Sequence, residues 1–416
     1  MTGVPDGWAQ HTPHEISGLE KGALVIGPFG SNLKTSDYRD EGVPLVFVKD
    51  IRAKNFSSPR AFVSTAKAAE LGVHEVQPGD ILITKMGDPP GDVALYDADV
   101  PGIITADCIR LRPASGFDCR FLLHAFRTPD VRRQVNEITT GAAQQKVSLD
   151  RFRTRLHISA PPLAEQKRIA AVLDQLEALR AKRRGAITLL DDLAQSIFLD
   201  MFGELFSGEA VAPEAVSLSS VAEIASGITK GRKAPIGELA KIPYLAVINV
   251  QDRRLELSTV KVMEVSSAEI ERFKLKVDDL LLTEGGDPDK LGRGTLWGGQ
   301  IPICLHQNHV FRVRISNSEK VDPFYLNWII SSDYGKRYFL KVAKQTTGIA
   351  SINKTQLSAF PLILPEMVQQ KLFRKRLQAV QEQKHAHQRH LATLDELFES
   401  VQQRAFAGKL WDHEAA

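Results

Sequence analysis

Six loops in this chain of 416 residues carry side chains suited to recognising a polyanion. In the N-terminal half they are Gly30-Ser-Asn-Leu-Lys34, Thr84-Lys-Met-Gly87 and Gly141-Ala-Ala-Gln-Gln-Lys146. In the C-terminal half they are Gly227-Ile-Thr-Lys-Gly-Arg-Lys233, Asp289-Lys-Leu-Gly-Arg293 and Gly348-Ile-Ala-Ser-Ile-Asn-Lys354. Gln and Asn can bond adenine through paired hydrogen bonds, Arg and Lys can bond guanine, and Gly lets backbone amides approach phosphates. One such loop is most often a solvated turn. Their recurrence at matching places in both halves is what gives them weight. The candidate DNA-binding side chains are Ser31, Asn32, Lys34, Lys85, Gln144, Gln145 and Lys146, and then Lys230, Arg232, Lys233, Lys290, Arg293, Ser351, Asn353 and Lys354.

Catalytic patterns are missing. There is no G-x-x-x-x-G-K-[ST], so no phosphate-cradling loop of an ATP-driven motor, and no H-E-x-x-H or zinc-spaced Cys/His cluster. Asp88-Pro89-Pro90 invites comparison with the D-P-P-aromatic motif of amino-methyltransferases, whose aromatic ring stacks on a flipped base. The fourth residue here is Gly91, and the second half has Asp287-Pro288-Asp289, so a turn is the better reading. Gly292-Arg-Gly294 lacks the strand and helix of a nucleotide loop. Lys85 in one half is replaced by Glu284 at the matching place in the other, so no carboxylate–lysine nuclease cluster repeats. The expectation is a non-catalytic chain with no metal and no cofactor of its own.

Composition sets the frame. With 53 Lys and Arg against 50 Asp and Glu, the net charge of +3 does not by itself announce a nucleic-acid binder; any basic surface must come from local placement. The three cysteines, Cys108, Cys119 and Cys304, form no C-x-x-C pair, which fits a reducing cytosol. No run of eighteen apolar residues occurs, and the start MTGVPDGW lacks the basic-then-apolar pattern of a signal segment. A cytoplasmic protein of two or more domains, with no membrane partner, is expected.

The elements that must position the loops are written twice. Val43-Pro-Leu-Val-Phe-Val-Lys-Asp-Ile51 aligns with Ile242-Pro-Tyr-Leu-Ala-Val-Ile-Asn-Val250, and at the same offset Gly79–Pro89 aligns with Asp278–Pro288. Thr139-Thr-Gly141 then matches Thr346-Thr-Gly348, and Pro161…Gln166-Lys167 matches Pro365…Gln370-Lys371. Each copy opens with short apolar runs between Gly, Pro, Asn and Asp, which read as strands and turns with helices near Phe121–Asn136 and Pro323–Lys344. Each copy ends in a long helix, the first near Leu163–Phe202 and the second near Met367–Ala407. The first predicts a seam at Ile169, Val172, Leu176, Leu179, Ala186, Leu190, Leu193 and Ile197. The second predicts Phe373, Leu377, Val380, Leu391, Leu394, Phe398, Val401 and Ala405. Forty helical residues span roughly 60 Å, and a 3.5-residue seam calls for a helical partner. Polar breaks at Arg183 and Asp200, and at Lys384 and His387, fit an antiparallel pair.

The chain resembles the specificity subunit of Type I restriction–modification systems over nearly its whole length. Pro5-Asp-Gly-Trp8, Thr139-Thr-Gly141, Pro161-Pro-Leu-Ala-Glu-Gln-Lys-Arg-Ile169, Gln195-Ser-Ile-Phe…Met201-Phe-Gly203 and Ala405-Phe-Ala-Gly-Lys-Leu410 carry the resemblance. The second copy departs from it, with Pro-Glu for Pro-Pro and Gln369 in place of Glu165. The resemblance implies an α/β (α+β) architecture: two similar target recognition domains joined by two long antiparallel coiled-coil helices, a pseudo-twofold tandem repeat. Its divisions would be 1–160 and 204–364 for recognition, and 161–203 and 365–410 for conserved spacers. It implies further that the domains read a bipartite site on double-stranded DNA. The spacers would hold two modification (methyltransferase) subunits, and restriction/translocase subunits would join them. Glu165, Gln166, Lys167, Gln369, Gln370 and Lys371 would lie at the partner interface. A subunit serving a single-chain restriction–methylation enzyme and an orphan regulatory scaffold are the alternatives. If the helices set the unread gap, four residues inserted after Ala186 add about 6 Å and nearly a full turn. The methylated sites should then keep their bases while the gap grows by one or two base pairs. Altered bases with an unchanged gap would refute the ruler.

Overall fold

Asp80-Ile-Leu-Ile-Thr84 and Asp279-Leu-Leu-Leu-Thr283 show no polar alternation, which a strand tolerates when both its faces are covered. The computed structural model describes residues 4–141, 145–207, 214–232, 238–346 and 348–411. They fall into two units: residues 1–185 with 388–416, and residues 186–387. In the first unit the strands Leu24–Ile26, Cys108–Leu111, Ile81–Thr84 and Val93–Leu95 lie side by side in that order, all antiparallel. In the second, Ala222–Ser226, Val310–Ile315, Leu280–Thr283 and Gly294–Leu296 repeat the arrangement. A smaller sheet accompanies each. Val43–Val46 runs parallel to Gly102–Ile104, and Ala240–Leu245 runs parallel to Leu305–His306. The two copies share one mixed α/β topology.

Successive strand residues point to opposite faces, and both faces are packed. Ile81 and Ile83 join Phe121, Phe126, Phe152, Ile169 and Leu173 on one side, while Leu82 joins Val46, Ile51 and Cys108 on the other. Likewise Leu280 and Leu282 pack with Phe198, Phe202, Tyr325 and Phe373, while Leu281 packs with Leu245, Trp297 and Cys304. Burial pushes the Cys108 and Cys304 thiols up to about 12, so neither is a thiolate near neutrality. The Cys-Ile-Arg-Leu-Arg112 and Val-Phe-Arg-Val-Arg314 strands each add an ion pair. Arg112 binds Asp80 at 2.7 and 2.8 Å, and Arg314 binds Asp279 at 2.7 Å through both oxygens. Both aspartates are nearly fully buried, so losing either arginine would leave a buried charge, a change that typically costs about 3–5 kcal/mol. This repeated R-x-R is legible in the sequence but was not among the features expected to repeat.

The long helices run Leu163–Ser207 and Met367–Phe406, the first ending five residues beyond its expected limit. Each unit takes one half of both. In the first unit Arg180 pairs with Asp395 at 2.5 Å and its guanidinium lies 4.4 Å from the Phe398 ring centroid. In the second unit Lys384 pairs with Asp191, and Phe373 packs on Phe198 and Phe202 at 5.7 and 5.3 Å. Later residues of one helix meet earlier residues of the other, so within each unit the helices are antiparallel. The second helix covers the predicted stripe, with Phe373, Leu377, Val380 and Ala405 buried and Leu391, Leu394, Phe398 and Val401 half-buried, and Lys384 and His387 continue its phase half-buried. The first helix differs from the expectation. Ile169 and Leu176 are buried and Val172, Ala186, Leu190 and Ile197 half-buried as predicted, but Leu179 and Leu193 are exposed, and Leu173, Arg180, Ile187 and Ala194 add a covered row beside the seam. The wider face follows the packing. A helix covered by a globular part as well as by another helix buries a wider face than a two-stranded seam, and Arg180 fills its place in that row by pairing with Asp395.

At the repeated Pro-to-helix junction the decisive residue is the glutamine. Gln166 is 2% exposed: its Oε1 accepts from the Asp118 amide at 2.9 Å, and its Nε2 donates to the carbonyls of Pro161 at 2.8 Å and Gly116 at 3.3 Å. Gln370 is fully buried and does the same with Asp322 at 2.8 Å, Pro365 at 2.8 Å and Lys320 at 3.0 Å. The expectation that Gln166 and Gln370 face a partner subunit is therefore corrected. Both side chains are spent inside their own unit, tying the helix start to the loop that opens the Cys119–Phe126 or Pro323–Ser331 helix.

Two predictions follow from buried polar groups. Gln166→Ala or Gln370→Ala leaves an amide and two carbonyls unpaired, each costing about 1–3 kcal/mol. Either variant should lower the denaturant midpoint clearly, whereas Lys167→Ala should change it little. The second concerns His306, fully buried, whose Nδ1 bonds the Val310 carbonyl at 2.7 Å. Burial pushes its imidazole down to about 4 from 6.5. The unfolded chain thus binds this proton more readily. The contribution is complete above pH 6.5 and lost as pH falls towards 4, to a limit of roughly 3 kcal/mol. His306→Gln should flatten this part of the stability–pH curve measured by urea titration.

Candidate nucleic-acid interface

In the first unit a loop leaves the Ile81–Thr84 strand and meets the residues before the Leu149–Arg155 helix. The Val147 amide donates to the Lys85 carbonyl at 2.9 Å, the Gly87 amide donates to Gln145 at 3.3 Å, and Met86 bridges to Lys146. Lys85 and the Gln145–Lys146 pair are thus brought side by side by backbone pairing. Lys146 is exposed, while Lys85 is half-buried with its amine 3.5 Å from the Ala106 carbonyl. Beside them Asp88, Asn136, Thr139, Gly141 and Gln145 line a cleft of about 390 Å³. Gln144 lies outside the described residues.

The second unit builds the same junction. Gly285 and Gly286 pair with Ser351 and Ala350, and the Ile352 amide donates to the Glu284 carbonyl at 2.9 Å. The chemistry at the junction has changed. Glu284 stands where Lys85 does, and its carboxylate is 2.6 Å from His309 Nδ1. Ser351 is half-buried and Lys354 exposed. Asn353 is exposed but caps the Lys354–Ser358 helix, accepting from the Gln356 amide at 2.9 Å. Its side-chain oxygen is therefore already engaged.

Two of the other expected loops pack against the smaller sheets, and the Asp289–Arg293 loop leads into the Gly294–Leu296 strand. Leu33 anchors Ser31, Asn32 and Lys34, all exposed, in a cluster with Leu45, Val63, Leu71 and Ile103. Ile228 anchors the second loop with Tyr244, Val265 and Leu305. The glycine that repeats is Gly27 rather than Gly30. A β-carbon at Gly27 or at Gly227 would stand 2.0 Å from a carbonyl oxygen, that of Thr105 or of His306. Lys230 is exposed, and Lys233 lies outside the described residues. Arg232 does not project freely as its type suggested. It is clamped to Glu269 at 2.6 and 2.7 Å, and this pairing holds the Glu269 carboxyl below its usual range. Lys290 pairs with Asp287, and Arg293 is half-buried with Nη1 donating to Gln251 at 3.1 Å. Of the residues expected on the helices, Lys167, Gln369 and Lys371 are exposed and Glu165 is half-buried. Among the described residues no group of three His, Cys, Asp or Glu side chains is placed to hold a metal ion, and no helix is long and apolar enough to cross a membrane.

Comparison with known proteins converges on one family. Residues 63–189 match the Type I restriction modification DNA specificity domain. The chain is 22% identical to the Type I restriction enzyme EcoKI specificity subunit of Escherichia coli, over 98% of this chain and 90% of that one. It is 25% identical to the putative type I restriction enzyme MjaX specificity subunit of Methanocaldococcus jannaschii, over 36% of this chain and 35% of that one. In fold it is similar to the Type I restriction-modification S subunit from M. genitalium, with a TM-score of 0.56 at 13% identity over 96% of both chains. A chain from a structural study of type I R-M complex assembly aligns with a TM-score of 0.51 at 18% identity, over 98% of this chain and all of that one. Residues 63–189 thus match the Type I restriction modification DNA specificity domain, and the chain over nearly its whole length is similar to a Type I restriction enzyme specificity subunit.

Proposed function

We propose that each unit reads one half of a split site on double-stranded DNA, and that methyltransferase and restriction subunits supplied by other chains perform the chemistry. The observation that carries this reading is the junction built twice on one topology, Lys85–Gly87 against Gln145–Lys146 and Glu284–Gly286 against Ala350–Ile352. One scaffold with two differently charged faces suits a reader of two unlike half-sites. Lysine, glutamine and serine side chains at such junctions have the donors for base edges, and the glycines admit phosphates. Ser31, Asn32 and Lys34, and Lys230 in the second unit, are exposed and suited to flanking phosphates. Lys167, Gln369 and Lys371 remain candidates for partner contact on the helices. With a net charge of only +3, tight binding would depend on phosphate contacts that partner subunits add. Linking two weak half-site readers raises avidity through effective concentration.

The test uses the chain assembled with its methyltransferase subunits on duplexes mutated in one half-site at a time. Gln145→Ala with Lys146→Ala should relax discrimination in one half only, and Ser351→Ala with Lys354→Ala in the other. Each lost bidentate base contact should cost about 1–3 kcal/mol of discrimination. Equal effects of either pair on both halves would end the two-reader account. Methyl transfer or cleavage by the homogeneous single chain would end the non-catalytic one.

A further inference from the structure

Lys54 and Arg253 occupy the same place in the two copies. Each follows the strand that opens the repeat, Val43–Val46 or Ala240–Leu245, and each has the left-handed backbone φ of 53°. Their surroundings differ. In the second unit the Arg253 guanidinium carbon lies 3.6 Å from the Trp328 ring centroid and its Nε donates to Ser331 Oγ at 3.1 Å. Beside it Arg293 donates to Gln251. An aromatic ring and a hydroxyl occupy the cation there.

In the first unit the corresponding positions hold Arg52 for Gln251, Asp92 for Arg293, Arg127 for Ser331 and His124 for Trp328. The result is a cavity of about 390 Å³ lined by Arg52, Lys54, Asp92, Arg127 and Arg132, among others. Two carboxylates serve four cations. Asp92 takes Arg52 at 2.9 Å and Arg132 at 3.6 Å, and Glu177 takes Arg127 at 3.3 Å and Lys54 at 3.8 Å. The cluster therefore carries two uncompensated positive charges in a concave, partly desolvated place. Burial and the Arg127 charge hold the Lys54 amine below its usual range. An anion that accepts hydrogen bonds would relieve this, and a phosphate oxygen is well suited to arginine forks.

The cavity also has a position relative to the candidate base readers. Gly91 lines it, and Arg132 donates to the Gly91 carbonyl. Gly87 lies so close to Arg52 that a β-carbon there would stand 2.2 Å from Nη2. The same short loop carries Lys85 and Met86 beside Gln145 and Lys146. One loop thus connects the cationic cavity to the proposed reading junction.

We propose that this cavity in the first unit is a phosphate-binding site, and that it grips a backbone phosphodiester of the duplex whose bases lie at the Lys85–Gly87 and Gln145–Lys146 junction. The contact is independent of sequence and rests on the reading that this unit binds DNA. The second unit, with Arg253 stacked on Trp328, makes its phosphate contacts elsewhere.

The assembled chain with Lys54→Gln, alone and with Arg52→Gln, tests this in duplex binding across a salt series. Lys54 is exposed enough that the single variant should keep the wild-type melting temperature. Each lost phosphate contact should lower the salt slope by about 0.9, with matched and mismatched duplexes weakened by the same factor. A neutral methylphosphonate scanned along the site should find a linkage that weakens the wild type and not the variants. In parallel, the free chain is titrated with inorganic phosphate by calorimetry. Loss of a phosphate site in the variants with an unchanged DNA slope would overturn the DNA assignment in favour of a free phosphate-bearing ligand. Unchanged behaviour in both arms would overturn the site altogether. Should the wild type bind no duplex, the DNA reading fails by itself, and the phosphate titration still decides whether the cavity binds phosphate.

Discussion

A carboxamide offers two donors and an accepting oxygen in one rigid plane, and at both junctions between a globular part and a long helix all three are used. Gln166 and Gln370 each accept one backbone amide and donate to two carbonyls, with almost no exposure to water. In a low-dielectric interior such bonds are strong when complete and costly when broken. They fix where the long helix begins relative to the helix that packs on the sheet. The direction of the long helix, and with it the face that Phe373, Leu377, Ile169 and Leu173 turn inward, depends on that anchor.

Once aimed, the helices are held within each unit by a seam that is not purely apolar. Arg180 sits in the stripe of the first helix, satisfied by Asp395 and by the face of Phe398. Lys384 sits in the stripe of the second, satisfied by Asp191. Charged residues at seam positions stabilise less than leucine would. They favour one register, because a slip leaves each charge against an apolar neighbour.

The two copies keep their framework and vary their charges. The buried Asp80–Arg112 and Asp279–Arg314 pairs, the strand order and the backbone pairing at the loop junction recur. Lys85 against Glu284, Arg52 against Gln251 and Asp92 against Arg293 do not. Repeated hydrogen-bond geometry beneath a changing polar surface lets one fold present two differently charged faces. It also means that residue type alone is a poor guide to contact. Arg232 looked like a base reader and is a structural ion pair with Glu269, and Asn353 is a helix cap.

The sequence by itself determined the features that depend on local periodicity and on the order of anchors. These are the tandem repeat, the strands at Ile81–Thr84 and Leu280–Thr283, the two long helices, and the resemblance to specificity subunits. The heptad phase of the second helix was also legible, because the positions that pack on the first helix and on the globular part fall on one apolar stripe. Only the tertiary structure decided the rest. The first helix buries a wider face than its predicted seam, leaving out Leu179 and Leu193 and taking in Leu173, Arg180 and Ala194, because a globular part and a second helix both cover it. Gln166 and Gln370 turned inward, since nothing in a Pro-x-x-x-x-Gln spacing says whether loop amides wait on one side. Arg52, Lys54, Arg127 and Arg132 come together from separate segments, so their shared cavity has no signature along the chain. Hydrophobic period is a property of neighbours in sequence, whereas the partner of a buried polar group is chosen by neighbours in space.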